Sequence, residues 1–491
     1  MTATFPLEPG PDETRAMGAA ALSYLEEFLA ELPDAPASGL PGALELAERL
    51  REPAPEEGTD FARLLATFAE GVATSLDFAG PGYMGYIPGG GLWASAIADF
   101  LAAAVNRYVT LWSLAPALAQ MEWTTVRWLC DLFDYPDAAR GVLTSGGSLA
   151  NLAGLVTARH ARLPENFLAG TLYVTDQTHA SVAKAAHVAG FPPGNVRMVA
   201  TTPDLRMDVD ALADLVARDR RAGRQPFCVV ASAGTTNTGA IDPLADLAAY
   251  CESEGLWLHV DAAYGGPFRL TARGRERLAG IDRADSITLD PHKAMFLPYG
   301  TGALLVRDGP RLRDAHHVGA AYLQDVGESE RIPSFNEYSP ELSRNFRGLR
   351  LWLPIMLHGL GAFRDALDEK LDLAGYLYEE LRATPRLEVP WEPQLTAVAF
   401  RYRPPGAGDG DVVGPDPTAD DPERNEELDA ANARLLERIN ASNRILLSST
   451  RIGGRFVIRA CILSHRTHRD RVEEAVDIIR SAVAGLAESD G

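Results

Sequence analysis

Apolar positions first recur at helical spacing over residues 13–31, ETRAMGAAALSYLEEFLAE, with acidic residues between them. A second helical pattern covers 59–78, after a Pro/Glu/Gly-rich hinge at 52–58. From about residue 140 the period changes. TLYVTD (171–176), VRMVAT (196–201), FCVVASAG (227–234) and LWLHVDAAY (256–264) are rich in β-branched and aromatic residues. Ala/Leu-rich helical stretches, such as 208–222 and 242–254, lie between them, and two further β-type runs follow at Ser286–Leu289 and Gly302–Val306. Short strands alternating with helices predict an α/β domain, a mainly parallel sheet with helices on both faces. A smaller α+β lobe follows, with strands at 396–402 and 455–463 and helices at 425–441 and 469–487. It is interrupted by a Pro/Gly/Asp-rich surface loop at 404–424. The division expected is an N-terminal helical arm (1–80), a large domain (81–365) and a small C-terminal domain (366–491). The arm shows no core of its own, which suggests packing on another lobe or subunit.

A chain of 491 residues is long enough for more than one lobe. Its net charge of −21, with no Lys/Arg-rich block, disfavours nucleic acid and anionic membranes as partners. Cys130, Cys228, Cys251 and Cys461 are scattered in apolar contexts without CxxC spacing and read as reduced interior residues. The first residues show no basic region leading into an apolar run, and no apolar run is long enough to span a bilayer. The expectation is a soluble, cytoplasmic protein, in which the Asn440-Ala441-Ser442 tripeptide matches a glycosylation acceptor by chance.

Ligands of such sheets collect beyond the carboxyl ends of the strands, and polar residues gather there: Asp176, Thr235, Asp261 and Lys293. A lysine between two apolar strands is either a solvated loop residue or an amine meant to react. A buried amine loses its proton more readily and then forms a Schiff base. With pyridoxal phosphate, that chemistry also needs a carboxylate at the ring nitrogen, a platform for the ring and a phosphate cradle. Asp261 supplies the carboxylate, and Ala263, two residues on, is small enough to let a ring lie flat. TSGGSLANLAGLVTARHAR (144–162) opens a helix with two glycines and Ser148, a phosphate site built from amides and a hydroxyl. His179 opens another helix and carries a flat ring able to stack. Each residue alone reads as a cap, a turn or a solvated side chain; their common placement at strand ends and helix starts does not.

On LDPHK around Lys293, HVDAAYGG around Asp261, TDQTHASV around His179 and AGTTNTGAIDP around Thr236, the chain resembles the group II (aromatic-L-amino-acid decarboxylase-like) pyridoxal-phosphate-dependent decarboxylases. The resemblance runs from about residue 15 to the C-terminus. It implies the aspartate-aminotransferase-like fold (fold type I), with a mainly parallel seven-stranded sheet. It implies an internal aldimine at Lys293, the ring nitrogen paired with Asp261, and His179 stacked on the ring. Gly147 and Ser148 would contact the phosphate, Thr236 would make a polar contact near Asp261, and His292 would lie near the phosphate and the substrate carboxylate. Two positions depart from the family pattern. Asp290 stands where Asn is frequent, close to the expected phosphate, and is expected to point at a backbone amide or a cation. Ala294 replaces a Trp or Met and is expected to leave room near the cofactor.

The stretch 319–348, Gly/Ser/Glu-rich and then basic and aromatic, reads as a loop able to close over a site. The resemblance makes it a catalytic loop donated across a homodimer interface, with Tyr322 as the tyrosine associated with protonation at Cα; otherwise Tyr322 is an exposed loop aromatic. By the same resemblance Tyr86, Ile87 and Pro88 of GPGYMGYIPGGG (80–91) line the substrate pocket, with Tyr108, Thr110 and Trp112 as a second wall. Ordinary core is the alternative for these aromatics. The expected reaction is decarboxylation of an L-amino acid, aromatic substrates favoured. The rival keeps the cofactor but diverts the carbanion to oxidative deamination, β-elimination or carbon–carbon lysis; a cofactor-free binding protein is remote. The histidines of HRTH (465–468) and 316–317 lack acidic or cysteine partners at ligand spacing, so no metal is expected.

Overall fold

The computed structural model describes residues 7–37, 41–319, 333–404 and 422–489. Three helices come first: α1 (Pro11–Glu31), α2 (Ala43–Arg49) and α3 (Phe61–Ala73). The Asp60 carboxylate accepts from the amides of Ala62 and Arg63 and starts α3. Neither α1 nor α3 buries a single residue fully in this chain, and Leu22, Leu64 and Phe68 stay about half exposed. A helix whose apolar stripe has no cover in its own chain is held by little of its own packing.

The large domain follows, built from α4 (Trp93–Val105), α5 (Pro116–Leu132), β1 (Arg140–Thr144), α6 (Gly147–Arg162), β2 (Gly170–Val174), α7 (Ala180–Val188), β3 (Val196–Met198) and α8 (Val209–Arg221). It continues through β4 (Gln225–Ser232), α9 (Leu244–Glu254), β5 (Trp257–Asp261), α10 (Ala272–Arg277), β6 (Ser286–Leu289), β7 (Gly302–Val306) and α11 (Gly309–His316). The seven strands form one sheet in the order β1-β7-β6-β5-β4-β2-β3. All neighbours are parallel except at β7, which runs antiparallel to both β1 and β6.

Alternation along the strands splits the core in two, because successive side chains leave a strand on opposite faces. Val229, Ala231, Leu258, Val260, Ile287 and Leu305 face one way, against Val126, Leu129, Leu212, Leu247 and Leu351. Cys228, Val230, Trp257, Leu304 and Val306 face the other, against Ala150, Ala153, Leu155 and Val182 of α6 and α7. Each large apolar side chain so buried contributes roughly 1.5–3 kcal/mol, which makes the sheet the rigid part of the molecule. All four cysteines are buried and free.

Helix α12 (Gly348–Arg382) runs through residue 365, and its one non-helical residue is Gly359 (φ 71, ψ 157). Beyond it, β8 (Leu387–Glu388), β9 (Ala397–Tyr402), α13 (Pro422–Asn440), β10 (Ser448–Ile452), β11 (Arg455–Cys461) and α14 (Arg469–Ser489) complete the chain. Their four strands form an antiparallel sheet in the order β10-β11-β9-β8.

Candidate active site

The carboxyl ends of β4, β5 and β6 meet the start of α6 at a cavity of about 300 Å³. Ser145–Leu149, Asn151, His179, Ser181, Thr235, Thr236, Asp261, Ala263, Asp290, His292 and Lys293 are among its lining residues. Nine of the residues expected at a cofactor therefore share one wall-to-wall space: Lys293, Asp261, Ala263, His179, Gly147, Ser148, Thr236, His292 and Asp290.

Lys293 lies in the connection between the antiparallel neighbours β6 and β7. Its amide donates to Asp290 O at 2.8 Å, and Phe296 N donates back to Lys293 O at 3.0 Å, a turn that throws the side chain inward. Arg350 braces the end of this turn through Gly300 O and Thr301 Oγ1, both at 3.1 Å, while paired with Asp99. The chain contains only three lysines. Lys184 is exposed on α7, and the Lys370 ammonium is buried against Glu369 and Thr467 O. Lys293 thus carries the one lysine amine that faces the cavity.

Asp290 places Oδ2 2.9 Å from the Lys293 ammonium, so the expectation that it points at a cation matches the geometry. Its other oxygen, Oδ1, is buried without a hydrogen-bond partner. A Cβ at Gly147 would come within 2.9 Å of Asp290 Oδ2, and one at Gly302 within 2.5 Å of the Gly146 backbone. The glycines keep this corner open beside the first turn of α6, whose amides point out of the helix. His292 donates from Nδ1 to Thr301 O at 2.7 Å, and burial pushes its imidazole below the usual range.

At the other end, β5 stops at Asp261 rather than continuing to residue 264. Ala262 N still donates to Thr288 O, but the Asp261 carboxylate then caps the turn by accepting from Ala263 N at 3.1 Å. Its second oxygen accepts from Asn151 Nδ2 at 2.9 Å. Asn151 and Ser181, which sequence reasoning missed, both line the cavity, and Ser181 Oγ lies 2.7 Å from His179 Nδ1. Their signal was a polar residue on the buried face of Ala/Leu-rich α6 and another in the first turn of α7.

An amine, a carboxylate, an imidazole and a glycine-rich helix start around one cavity fit pyridoxal phosphate: an aldehyde partner, a ring-nitrogen partner, a ring cover and a phosphate cradle. The space kept by Gly147 lies at the cradle. The pyridoxal-dependent decarboxylase conserved domain matches residues 44–403. The chain belongs to this family.

Within it, the chain is 35% identical over 484 residues to an aromatic-L-amino-acid decarboxylase of Bacillus atrophaeus, covering 98% of this chain and 97% of that one. It is 28% identical to tryptophan decarboxylase 1 of Oryza sativa subsp. japonica, over 97% and 94% of the two chains. The crystal structure of Oryza sativa TDC with PLP and tryptamine superposes with a TM-score of 0.89 at 27% identity, covering 99% of this chain and all of that one. The seven-stranded α/β fold, the small antiparallel C-terminal sheet and the pyridoxal phosphate chemistry of this family member agree with these relatives.

The expected substrate residues lie elsewhere. None of Tyr86, Ile87, Pro88, Tyr108 and Thr110 lines the cavity. Tyr86, at φ 50, is 60% exposed, whereas Ile87 packs in the core. Their segment still runs past the lysine turn: Leu92 N donates to Phe296 O at 2.8 Å, and a Cβ at Gly89 would meet His292 O at 2.8 Å. Tyr108 donates to Leu342 O at 3.0 Å, and Thr110 O accepts from Phe335 N at 2.8 Å, so both hold the trailing end of the 319–348 stretch. That end is anchored by Phe335, stacked on Trp123 at 4.4 Å and covered by Arg344, itself paired with the buried Glu122. Tyr322 lies outside the described residues. Ala294 makes no room at the cavity: it is fully buried in the main core. The turn sends residue 293 inward and the next side chain down into the sheet. Asp176 is exposed beyond the end of β2 and is absent from the lining. Among the described residues no cluster of three or more His, Cys, Asp or Glu is arranged to hold a metal, and no helix is long and apolar enough to cross a membrane.

Proposed function

We propose that the protein is a cytoplasmic homodimer that decarboxylates an L-amino acid, aromatic ones preferred, to the corresponding amine. The observation that carries this reading is the one cavity-facing lysine amine, set between the Asp261 carboxylate and the glycine-rich start of α6. Bound pyridoxal 5′-phosphate supplies the electron sink that makes loss of the substrate carboxylate as carbon dioxide feasible. Lys293 offers its amine to the cofactor aldehyde. Asp261 holds a proton at the ring nitrogen, His179 covers one face of the ring, and Ala263 leaves the other face flat. Gly147, Ser148 and the flanking Thr236 and His292 hold the cofactor in place, and Asp290 keeps the free Lys293 ammonium aimed into the site. Tyr322 delivers a proton to Cα after the carboxylate leaves. The substrate side chain is met by Tyr86, Ile87, Pro88, Tyr108 and Thr110.

The apolar surface supports the dimer. Phe100 and Val105 on α4 and Met356 and Leu357 on the adjoining α12 are each more than half exposed, as is Phe68 on α3. Uncovered apolar side chains on packed neighbouring helices are expected to be covered in solution. The test is a panel of L-amino acids incubated with the pyridoxal-phosphate-loaded protein, scored for carbon dioxide, amine, ammonia and hydrogen peroxide. Equal yields of carbon dioxide and amine from an aromatic substrate are expected. Peroxide with ammonia, or ammonia without carbon dioxide, would replace this reading by a diverted carbanion.

A further inference from the structure

Seven side chains form a hydrogen-bond chain that runs from behind the cavity to His179 at its wall, with a direction set by the chemistry of its members. Trp257 Nε1, which only donates, gives its hydrogen to Ser286 Oγ at 2.8 Å. The same oxygen lies 2.7 Å from His259 Nδ1. On the other side of the ring, His259 Nε2 lies 3.0 Å from Asn151 Oδ1. The Asn151 amide nitrogen spends its two hydrogens on Asp261 Oδ2 and Ser181 Oγ, both at 2.9 Å, so Oδ1 is the atom left facing the histidine. A carbonyl oxygen only accepts; His259 Nε2 therefore carries a hydrogen. Complete burial keeps His259 neutral, so its one proton is on Nε2 and Nδ1 accepts. Ser286, which accepts from Trp257, therefore gives its own hydrogen to Nδ1. Ser181 in turn accepts from Asn151 and passes its hydrogen to His179 Nδ1, which leaves the His179 proton on Nε2 as well.

The ring of His259 has no freedom to turn. A Cβ on Gly154, one helical turn from Asn151 on α6, would lie 2.7 Å from His259 Cε1, so the helix touches the imidazole there. Thr288 Oγ1, 3.3 Å from Nε2, backs it on the β6 side. His259 lies outside the cavity, whereas Asn151, Ser181, Asp261 and His179 all line it.

We propose that His259 is a positioning residue: through Asn151 it fixes both the Asp261 carboxylate beneath the cofactor ring nitrogen and, by way of Ser181, the His179 imidazole on the ring face. Without the Nε2 hydrogen, Asn151 Oδ1 is left buried with no donor, and the amide is held only from its nitrogen side by Asp261 and Ser181, free to swing away from both. One residue on β5 thereby couples two groups that meet the cofactor on different sides. This inference rests on the cofactor reading given above.

The test uses the full-length protein stripped of cofactor and titrated with pyridoxal 5′-phosphate. Binding is followed by tryptophan fluorescence, and ring orientation by the visible circular dichroism of the bound cofactor. His259→Phe is expected to raise the dissociation constant about 10-fold and to diminish the visible dichroism, since it leaves a buried amide unpaired. His259→Gln, whose side-chain amide can donate from the place of Nε2, is expected to restore most of both. Ser286→Ala, which leaves His259 in place but removes the donor to Nδ1, is expected to weaken binding about 3-fold and serves if the Phe variant does not fold. Unchanged affinity and dichroism in folded His259→Phe, or in Ser286→Ala, would overturn the proposal, as would failure of Gln to rescue. A wild-type protein that binds no pyridoxal phosphate would instead overturn the cofactor reading.

Discussion

The floor and the rim of the cavity are built on opposite principles. The floor hangs on strand ends: Asp261 closes β5, Asp290 follows β6, and α6 starts directly after β1. Asp261, Asn151, Ser181 and His179 are bonded to one another there, and Asp290 to Lys293, all within one chain. The rim, residues 80–112 including α4, with α12 beside it, is irregular backbone and helix surface, with Tyr86 and Phe100 exposed. A single chain therefore completes the cofactor-holding half of the site but not the half expected to meet the substrate. From this difference, cofactor binding and turnover are expected to be separable properties of this molecule.

The strongest blow to the floor is Lys293→Ala, expected to cut turnover about 10⁴-fold while noncovalent cofactor binding persists; steady-state kinetics alongside a binding titration would show it. The rim is broken by Phe100→Asp combined with Leu357→Asp, two charges on the exposed apolar face. The expected outcome is a monomer by light scattering, with activity down about 100-fold and cofactor still bound. A monomer with full activity would erase the distinction between floor and rim. Asp290→Asn removes a charge from the cradle and from the Lys293 ammonium. Cofactor affinity measured by titration is expected to change by about 3-fold, with the gain from reduced repulsion of phosphate exceeding the loss of the ion pair.

Acid stability gives the smallest effect. Burial pushes His259 down to about 4, below its ordinary value of about 6.5 when unfolded. Between those values the unfolded chain binds a proton that the folded chain refuses, so stability is full above about pH 6.5 and is lost as pH falls towards 4. The loss attributable to this one residue is at most about 3 kcal/mol. His465, pushed down to about 3, acts in the same direction, whereas Asp242, pushed up to about 6, opposes it. Both are common to wild type and His259→Gln. The thermal midpoint of the wild type is therefore expected to fall more steeply between pH 6.5 and 4.5 than that of the variant; parallel profiles would mean that His259 already carries a charge in the folded protein.

The floor was legible in the sequence because strands announce themselves by composition. Ser286–Leu289 and Gly302–Val306 were read to the residue, and the polar positions at their ends led to Asp261 and Lys293. LWLHVDAAY was read too far because Ala262 to Tyr264 are apolar, although the Asp261 carboxylate turns the chain there. Asn151, Ser181 and His259 were missed because their bonds cross from β5 to α6 and to the start of α7, and no periodicity reports a contact between distant segments. Ala294 was misplaced for a related reason: adjacency to a reactive residue says nothing about which way the next side chain points. Tyr86, Tyr108 and Thr110 lie in segments without a period, where resemblance alone suggested a role and the single chain gives them other contacts.

Lys293 is the amine expected to react. Reducing the pyridoxal-phosphate-loaded protein with borohydride, digesting it and weighing the peptides tests that claim directly, since only three lysines compete. A stable cofactor adduct is expected on the peptide carrying Lys293 and none on those carrying Lys184 or Lys370. An adduct confined to either of those two, or no adduct from a protein that demonstrably turns over substrate, would contradict it.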